Sequence, residues 1–399
     1  MTYDVDRIRS LYPALQGDRI WLDGAAGTQS PSSVVDAISD AYRIGTSNGG
    51  GGFASSHRAD VMAQNARDAV ADLVGASDPR GVVLGPNMTT LTYRFAQSLA
   101  DTWNSGDNIV VSRLDHDANI RPWLQWADRA RVDVRWAEID PLTGELPVEQ
   151  YSDLLDGRMK LVAVTAASNV LGTRPDVRSI TDAAHSVGAF AYVDGVHATA
   201  HGLVDINDLG SDFYATSSYK WDGPHVGCVI ANPDLLDGLR PEKLAASSDQ
   251  IPDRFEWGTP SYPNFAGMAA AVDHLADLVP DAPGSRRERL VTSLTASHEH
   301  EQRLLGRILD AFDADDRITV YGRPKSRTAT VYFTVAGQSP DETAALLDRN
   351  GINVWSGHNY AFEVTGALGI RDKGSAVRVS LAHYSNDADV DRLLTSLTP

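Results

Sequence analysis

Residues 213–227 read FYATSSYKWDGPHVG. The first four residues alternate as a strand does, and Val226 to Ala231 is a second, apolar strand. Lys220 lies between them. A lysine between two buried strands is costly unless it has a partner or a covalent task. The segments upstream set the context. Gly81 to Leu84, Asn108 to Ser112, Val132 to Ile139, Leu161 to Thr165 and Phe190 to Val193 read as strands. Helical patterns lie between them, from about Thr89, over 120–129 and over 180–187. Strand and helix in alternation predict a mostly parallel sheet covered on both faces. Beyond it, helices are expected at 265–278, 286–312 and 340–349, with strands at 329–335 and 376–380. This is the pattern of a smaller α+β domain. The expected division is a large domain over 21–269, with 1–20 and 270–399 forming the small one.

The chain has 399 residues, 42% of them hydrophobic, enough for a sizeable core and about two or three domains. Its 35 basic residues face 53 acidic ones, a net charge of −18. Such an excess of negative charge argues against nucleic-acid phosphate or anionic lipid as a partner. It favours a small-molecule ligand. MTYDVDRIRSLYPAL has no apolar core of the kind a signal peptide needs, and no run approaches membrane-spanning length. The single cysteine, Cys228, allows no internal disulfide and no cysteine-based metal site. A cytoplasmic protein is expected.

In an open α/β sheet, ligands bind at the carboxyl ends of the strands. Those ends carry Asp194 and His197, Asn169, His116, the Thr89–Thr90 helix start and Lys220. Pyridoxal phosphate asks for this set. It needs a lysine for its aldehyde and a carboxylate for its ring nitrogen. Its phosphate needs a helix N-terminus and hydroxyls. His116 suits the ring face, and His197 and Asn169 suit the ring hydroxyl.

Several motifs carry a family resemblance in the expected order: WLDGAAGTQSP, SRLDHDANIRPW, ASNVLGT, AYVDGVHATAHG, SSYKWDGPHVG, FEWGTP and RVSLAHYSNDADVDRLL. Together they resemble the class V aminotransferase family of fold-type I pyridoxal-phosphate enzymes, in its cysteine desulfurase-like branch. The resemblance spans nearly the whole chain. It implies a seven-stranded, mostly parallel sheet in the large domain. It makes Lys220 the lysine bonded to the cofactor, Asp194 the ring-nitrogen partner and His116 the stacking residue. Asn169 and His197 would face the ring hydroxyl, with Thr90 and Ser217 on the phosphate. Thr259 would reach the cofactor phosphate across a homodimer interface. Arg378 would hold the substrate α-carboxylate, a role that suits a bidentate guanidinium.

The match breaks at one place. Desulfurases of this branch use a cysteine on a mobile loop, and the corresponding stretch here is VWSGHNYAFEV, with Tyr360 near the cysteine's position. A phenol cannot accept a persulfide sulfur. Cys228 lies in an apolar strand and reads as core. Persulfide formation is therefore not expected. β-Elimination from a cysteine-type substrate, transamination and epimerisation remain open, with elimination favoured. It needs Lys220 as base and an acid near the leaving sulfur, for which Tyr360 and His358 are candidates.

Other features have plainer readings. The run Ser47–Phe53, SNGGGGF, lacks the Gly-Lys-Ser/Thr of a phosphate loop, and no strand precedes it to make a dinucleotide fingerprint. It reads as a flexible loop or substrate lid. His57 and Arg58 follow it as candidates for the substrate's distal end. Tyr93 and Trp123 read as core, and the Arg286–Arg289 run as a solvated helix face. The pair His298 and His300 is two residues apart, which puts the rings on different helix faces. No metal site is expected. A degenerate partner protein that binds the cofactor weakly is the non-enzymatic alternative, and the presence of Lys220, Asp194 and Arg378 argues against it.

Overall fold

The structure is a computed structural model that describes residues 3–398. In chain order its strands are β1 (Ile20–Trp21), β2 (Val82–Gly85), β3 (Asn108–Ser112), β4 (Asp133–Ala137), β5 (Met159–Thr165), β6 (Phe190–Asp194), β7 (Phe213–Ser217), β8 (Gly227–Ala231), β9 (Ile318–Tyr321), β10 (Thr330–Val335), β11 (Ile352–Asn353), β12 (Trp355–Gly357) and β13 (Ala376–Ser380). Strands β2 to β8 form one sheet in the order β2-β8-β7-β6-β5-β3-β4. Only β8 runs against its neighbours. The mostly parallel seven-stranded sheet expected from the sequence is therefore present.

The strands read as unbroken apolar runs because both sheet faces are covered. Their alternation splits the side chains between two cores. Val82, Leu84, Val110, Val162, Val164 and Ile230 face one core, which includes residues of helices Ala54–Val74, Val177–Ser186 and Tyr262–Ala276. Val83, Ile109, Val111, Leu161, Ala163 and Val229 face the other, with helices Met88–Ala100 and Arg121–Ala130. Strand β4 stands at the edge and is the most exposed of the seven.

A third core is built around the antiparallel sheet β12-β13-β10-β9. Val331, Phe333, Val377 and Val379 pack there with Leu304, Ile308 and Phe312 of the long helix Arg286–Asp313. Ile20 and Leu22 join this core, and β1 pairs in parallel with β11. The N-terminal segment thus packs with the C-terminal part of the chain. The expected domain limits fall inside elements: position 21 lies in β1, and 269/270 cuts the helix Tyr262–Ala276. Helices Ser32–Arg43 and Ala54–Val74 are not evident from the strand–helix alternation. Gly267 lets helix 262–276 lie close to the first of them, since a Cβ there would meet Ile38 at 2.6 Å.

Two surface readings need correction. Arg287 is not a solvated side chain: it donates to the carbonyls of Leu73 (3.0 Å) and Val204 (2.9 Å) and pairs with Asp205. It satisfies carbonyls that have no helical partner. The glycine run is also tied down. Gly49, Gly50 and Gly51 donate their amides to Tyr262, Asp60 and Ser56. Among the described residues, no helix is long and apolar enough to cross a membrane.

Candidate active site

Lys220 ends a short turn, Ser218–Lys220, between β7 and the stretch leading into β8. The turn is clamped from both sides. Thr28 donates its amide to the Tyr219 carbonyl (3.0 Å), and its hydroxyl accepts the Asp222 amide (2.7 Å). Trp221 is buried beneath, its indole N–H on the Thr216 hydroxyl at 3.1 Å. The Lys220 side chain is buried and forms no ion pair among the described residues. Burial, with Arg378 nearby, lowers its ammonium to about 8, and Asp194 opposes this only in part. At neutral pH the group is therefore still mostly an ammonium, but it gives up its proton far more readily than an ordinary lysine.

Asp194 ends β6 and faces the same cavity. Burial pushes its carboxyl up to about 6, against the Val196 amide it accepts at 2.9 Å and the Lys220 charge. His116 follows β3. Its Nδ1 accepts the Ala118 amide at 3.1 Å, which places the proton of the neutral ring on Nε2. Burial, then Lys220, Arg378 and His358, lower it to about 3, so the ring is neutral. The His197 Nε2 sits 3.0 Å from the hydroxyls of Thr328 and Thr330. Its Nδ1 is buried without a partner. Asn169 donates from its side chain to the Asn359 carbonyl at 2.8 Å, and its Oδ1 is unpartnered. Arg378 lies in β13, donates to the Asn169 carbonyl at 3.1 Å and leaves Nε unpartnered. Burial lowers its guanidinium to about 10.

The helix expected from about Thr89 begins at Met88, with Asn87 as its cap. The Asn87 side chain accepts the Thr90 amide at 2.8 Å, and the Met88 amide donates to the Ser217 hydroxyl at 3.0 Å. Met88, Thr89 and Ser217 therefore line the cavity floor. Thr90 does not: its amide is taken up in the cap, and its side chain is absent from the lining. The helix can start this close to β8 only because residue 227 is glycine. A Cβ there would stand 2.2 Å from the Asn87 carbonyl carbon.

Above this floor opens a cleft of about 980 Å³. Lys220, His116, Asn169, Arg378, His358 and Tyr360 all border it. The Tyr360 ring is 5.4 Å from His116 and 67% exposed. Its carbonyl accepts the Asp117 amide (2.8 Å), and its amide donates to Nδ1 of His358 (3.0 Å). Glu363, just beyond, pairs with Arg113 at 2.7 Å and Arg121 at 2.5 Å. This fixes the end of the Tyr360 segment to the stretch that follows β3.

Three candidates are not brought into this chain's cleft. His57 is exposed, and Arg58 donates to the carbonyls of Ile44 and Gly45 at 3.1 Å each. Thr259 is exposed and lies outside the lining. Conversely, Tyr93, expected in the core, borders the cleft with Arg121, Gln125 and Trp355. A signal for Tyr93 exists in the sequence, because Thr89 and Tyr93 are four apart on one helix face. Trp123 is in the core as expected, with no exposure. The buried unpartnered atoms of Asn169, His197 and Arg378 call for a ligand. With an amine, a carboxylate and a helix N-terminus around one floor, these residues fit pyridoxal phosphate.

A family model described as "Aminotransferase class-V" matches residues 20–393. An uncharacterized protein of Mycobacterium tuberculosis (strain CDC 1551 / Oshkosh), MT3887, is 36% identical over 398 residues, covering 100% of this chain and 99% of that protein. A cysteine desulfurase of Enterobacter sp. (strain 638) is 30% identical over 429 residues, covering 100% and 98%. The crystal structure of the cysteine desulfurase CsdA from Escherichia coli superposes with a TM-score of 0.87 at 26% identity, over 100% of this chain and 98% of that one.

Proposed function

The chain belongs to the aminotransferase class-V family, in its cysteine desulfurase-like branch, and is a pyridoxal-phosphate-dependent enzyme; from that premise we propose that it cleaves the Cβ–S bond of a cysteine-type amino acid by β-elimination, without a protein persulfide. The observation that carries this reading is where the sulfur and the phenol lie. Cys228, the only cysteine, is buried in β8 between β2 and β7, and burial pushes its thiol far above the usual range. Tyr360 instead stands over His116 in the segment where the desulfurase cysteine is expected. A thiolate nucleophile has no place in this cleft.

Bound pyridoxal phosphate supplies an electron sink that weakens the bonds to the substrate's Cα. The chain's own residues select the bond. Arg378 holds the substrate carboxylate through its planar fork. Lys220 Nζ, whose proton burial makes easier to lose, takes the Cα proton in its amine form. The Cβ–S bond then breaks with its electron pair on sulfur. A proton from the Tyr360 hydroxyl or His358 Nε2 neutralises the leaving thiolate. With Nδ1 accepting an amide, the neutral His358 ring is a poor acid, which favours Tyr360 as the donor. Asp194 serves the ring nitrogen, His116 the ring face, and Asn169 and His197 the ring hydroxyl. The helix start at Met88–Thr89 and Ser217 hold the phosphate. Thr259 completes the partner subunit's site in a homodimer.

The test is a single turnover of purified holoenzyme with cysteine, cysteine sulfoxides, cysteine S-conjugates, alanine and glutamate, read by mass spectrometry. Intact pyridoxal phosphate with pyruvate, ammonia and a released sulfur species is the expected result. Pyridoxamine phosphate with a keto acid makes the protein an aminotransferase and refutes the reading. Deuterium at Cα without either product makes it an epimerase.

A further inference from the structure

Behind the Lys220 turn, four side chains far apart in sequence meet in the interior. Tyr12 comes from the N-terminal segment, and Asp222 follows Lys220 by two residues. His274 lies on helix 262–276, and His383 follows β13. The Tyr12 hydroxyl is 3.0 Å from Asp222 Oδ2, 2.8 Å from His274 Nε2 and 2.7 Å from His383 Nε2. Asp222 Oδ2 and His383 Nε2 are 3.2 Å apart, and the ligand atoms of Asp222, His274 and His383 all lie within 4.8 Å of one another. All four residues are buried. None of this is used by the cofactor site or by the proposed reaction.

We propose that Tyr12, Asp222, His274 and His383 bind a divalent transition-metal ion, zinc being the chemical type that suits two imidazoles, a carboxylate and a phenolate. Three observations carry this. First, the donors are the hard and borderline set that such ions select. Ligands about 2.1 Å from a tetrahedral ion stand about 3.4 Å apart, and the four distances just given fall short of that by about 0.2–0.7 Å, with the remaining pairs inside 4.8 Å. Second, Asp222 is a fully buried carboxylate that no arginine or lysine pairs among the described residues, and its Oδ1 has no partner. A buried carboxylate calls for a cation or a full set of donors. Asp222 also holds a left-handed backbone, φ +70°, which costs a non-glycine residue energy and is retained where the surroundings impose it. Third, His274 borders a surface hollow of about 400 Å³ whose charged lining is Arg7, Asp273 and Asp277, two carboxylates against one guanidinium, which gives an ion a way in. The ion would tie the N-terminal segment and the strand-β13 region to the Lys220 turn.

Untagged holoenzyme, dialysed against chelator, is titrated with zinc chloride and separately with cobalt chloride. One ion per chain, a raised melting temperature and the intense visible bands of four-coordinate cobalt are expected. Asp222→Asn and His383→Gln should weaken binding about tenfold or more. His274→Gln, at the most exposed ligand, serves where either fails to fold. The proposal is overturned if wild type takes up no ion and its melting temperature does not move. It is overturned equally if these variants keep wild-type binding while His298→Gln loses it, which would make the ion a surface adduct of the charged helix. Neither result bears on the lyase reading, because the titration measures no turnover.

Discussion

Replacing Gly227 by alanine tests whether the helix start at Met88 is the phosphate cradle. A Cβ at 227 meets the Asn87 carbonyl carbon at 2.2 Å, the Met88 nitrogen at 2.3 Å and the Asn87 Cα at 2.6 Å. Ordinary contact begins at 3.4 Å, so the backbones must part by about 1.2 Å (3.4 − 2.2). Strand β8 cannot yield, because it is laddered to β2 and β7 on both sides, with Gly227 opposite Gly85 and Ser217. The helix start must move instead, and the 3.0 Å bond from the Met88 amide to Ser217 is lost. Overpacking costs about 1–3 kcal/mol and the lost buried bond about 1, giving about 2–4 kcal/mol in all. Losing one charge-assisted hydrogen bond to the phosphate, worth about 1.5–3 kcal/mol, should weaken cofactor affinity by about tenfold to a hundredfold. Urea unfolding of the cofactor-free protein reads the first quantity, and fluorescence titration with pyridoxal phosphate the second. If stability falls as calculated but the affinity stays within twofold, the phosphate does not bind at this helix start. If neither changes, β8 and the helix start have room for a Cβ between them.

Cys228 should resist thiol reagents in the native protein and react once on unfolding, because burial holds its thiol protonated. Cys228→Ala should leave sulfur release intact; its abolition would overturn the exclusion of persulfide chemistry. His116 should make the protein acid-labile. Its folded pKa of about 3 lies below the unfolded value, so the unfolded chain binds the extra proton as pH falls below about 6.5. That stabilisation is present above about 6.5 and lost progressively towards 3. At pH 5 the loss is about 1–2 kcal/mol relative to neutral pH, after allowing for partial exposure. The urea midpoint of wild type should therefore fall relative to that of His116→Phe from pH 7 to 4, and parallel curves would refute this. Trp123→Ala should cost about 3–5 kcal/mol in denaturant unfolding. The indole is fully buried, edge-on to Tyr192 at 4.8 Å, and holds Asn119 at 3.0 Å. A loss under about 1 kcal/mol would mean that the site collapses around the gap.

The sheet was legible because its strands are buried on both faces. NIVVS carries a nearly continuous apolar signal, and Asn108–Ser112 stands where the sequence puts it; Ala376–Ser380 of the smaller sheet does too, although Arg378 interrupts its apolar run. Lys220, Asp194, His116 and Asn169 were legible for a related reason. They lie just past the ends of those strands, where a parallel sheet gathers its ligand groups. The helix start was legible only to within one residue, since Asn87 and the threonines are all competent caps. The cap took Asn87, and with it Thr90 left the site.

Local pattern was enough for strand against helix, for the groups that suit the cofactor, and for the lack of a thiol near the cleft. The rest depends on contacts between segments distant in sequence. Arg58 went to the carbonyls of Ile44 and Gly45, and Arg287 to those of Leu73 and Val204. Tyr93 turned to the cleft, and the Tyr360 segment was fixed through Glu363 to Arg113 and Arg121. The Tyr12, Asp222, His274 and His383 cluster is the extreme case. Tyr12 and His383 are 371 residues apart, and no spacing rule links them. Periodicity reports which way a side chain faces on its own element. Which other element it meets there is settled by the packing of the whole chain.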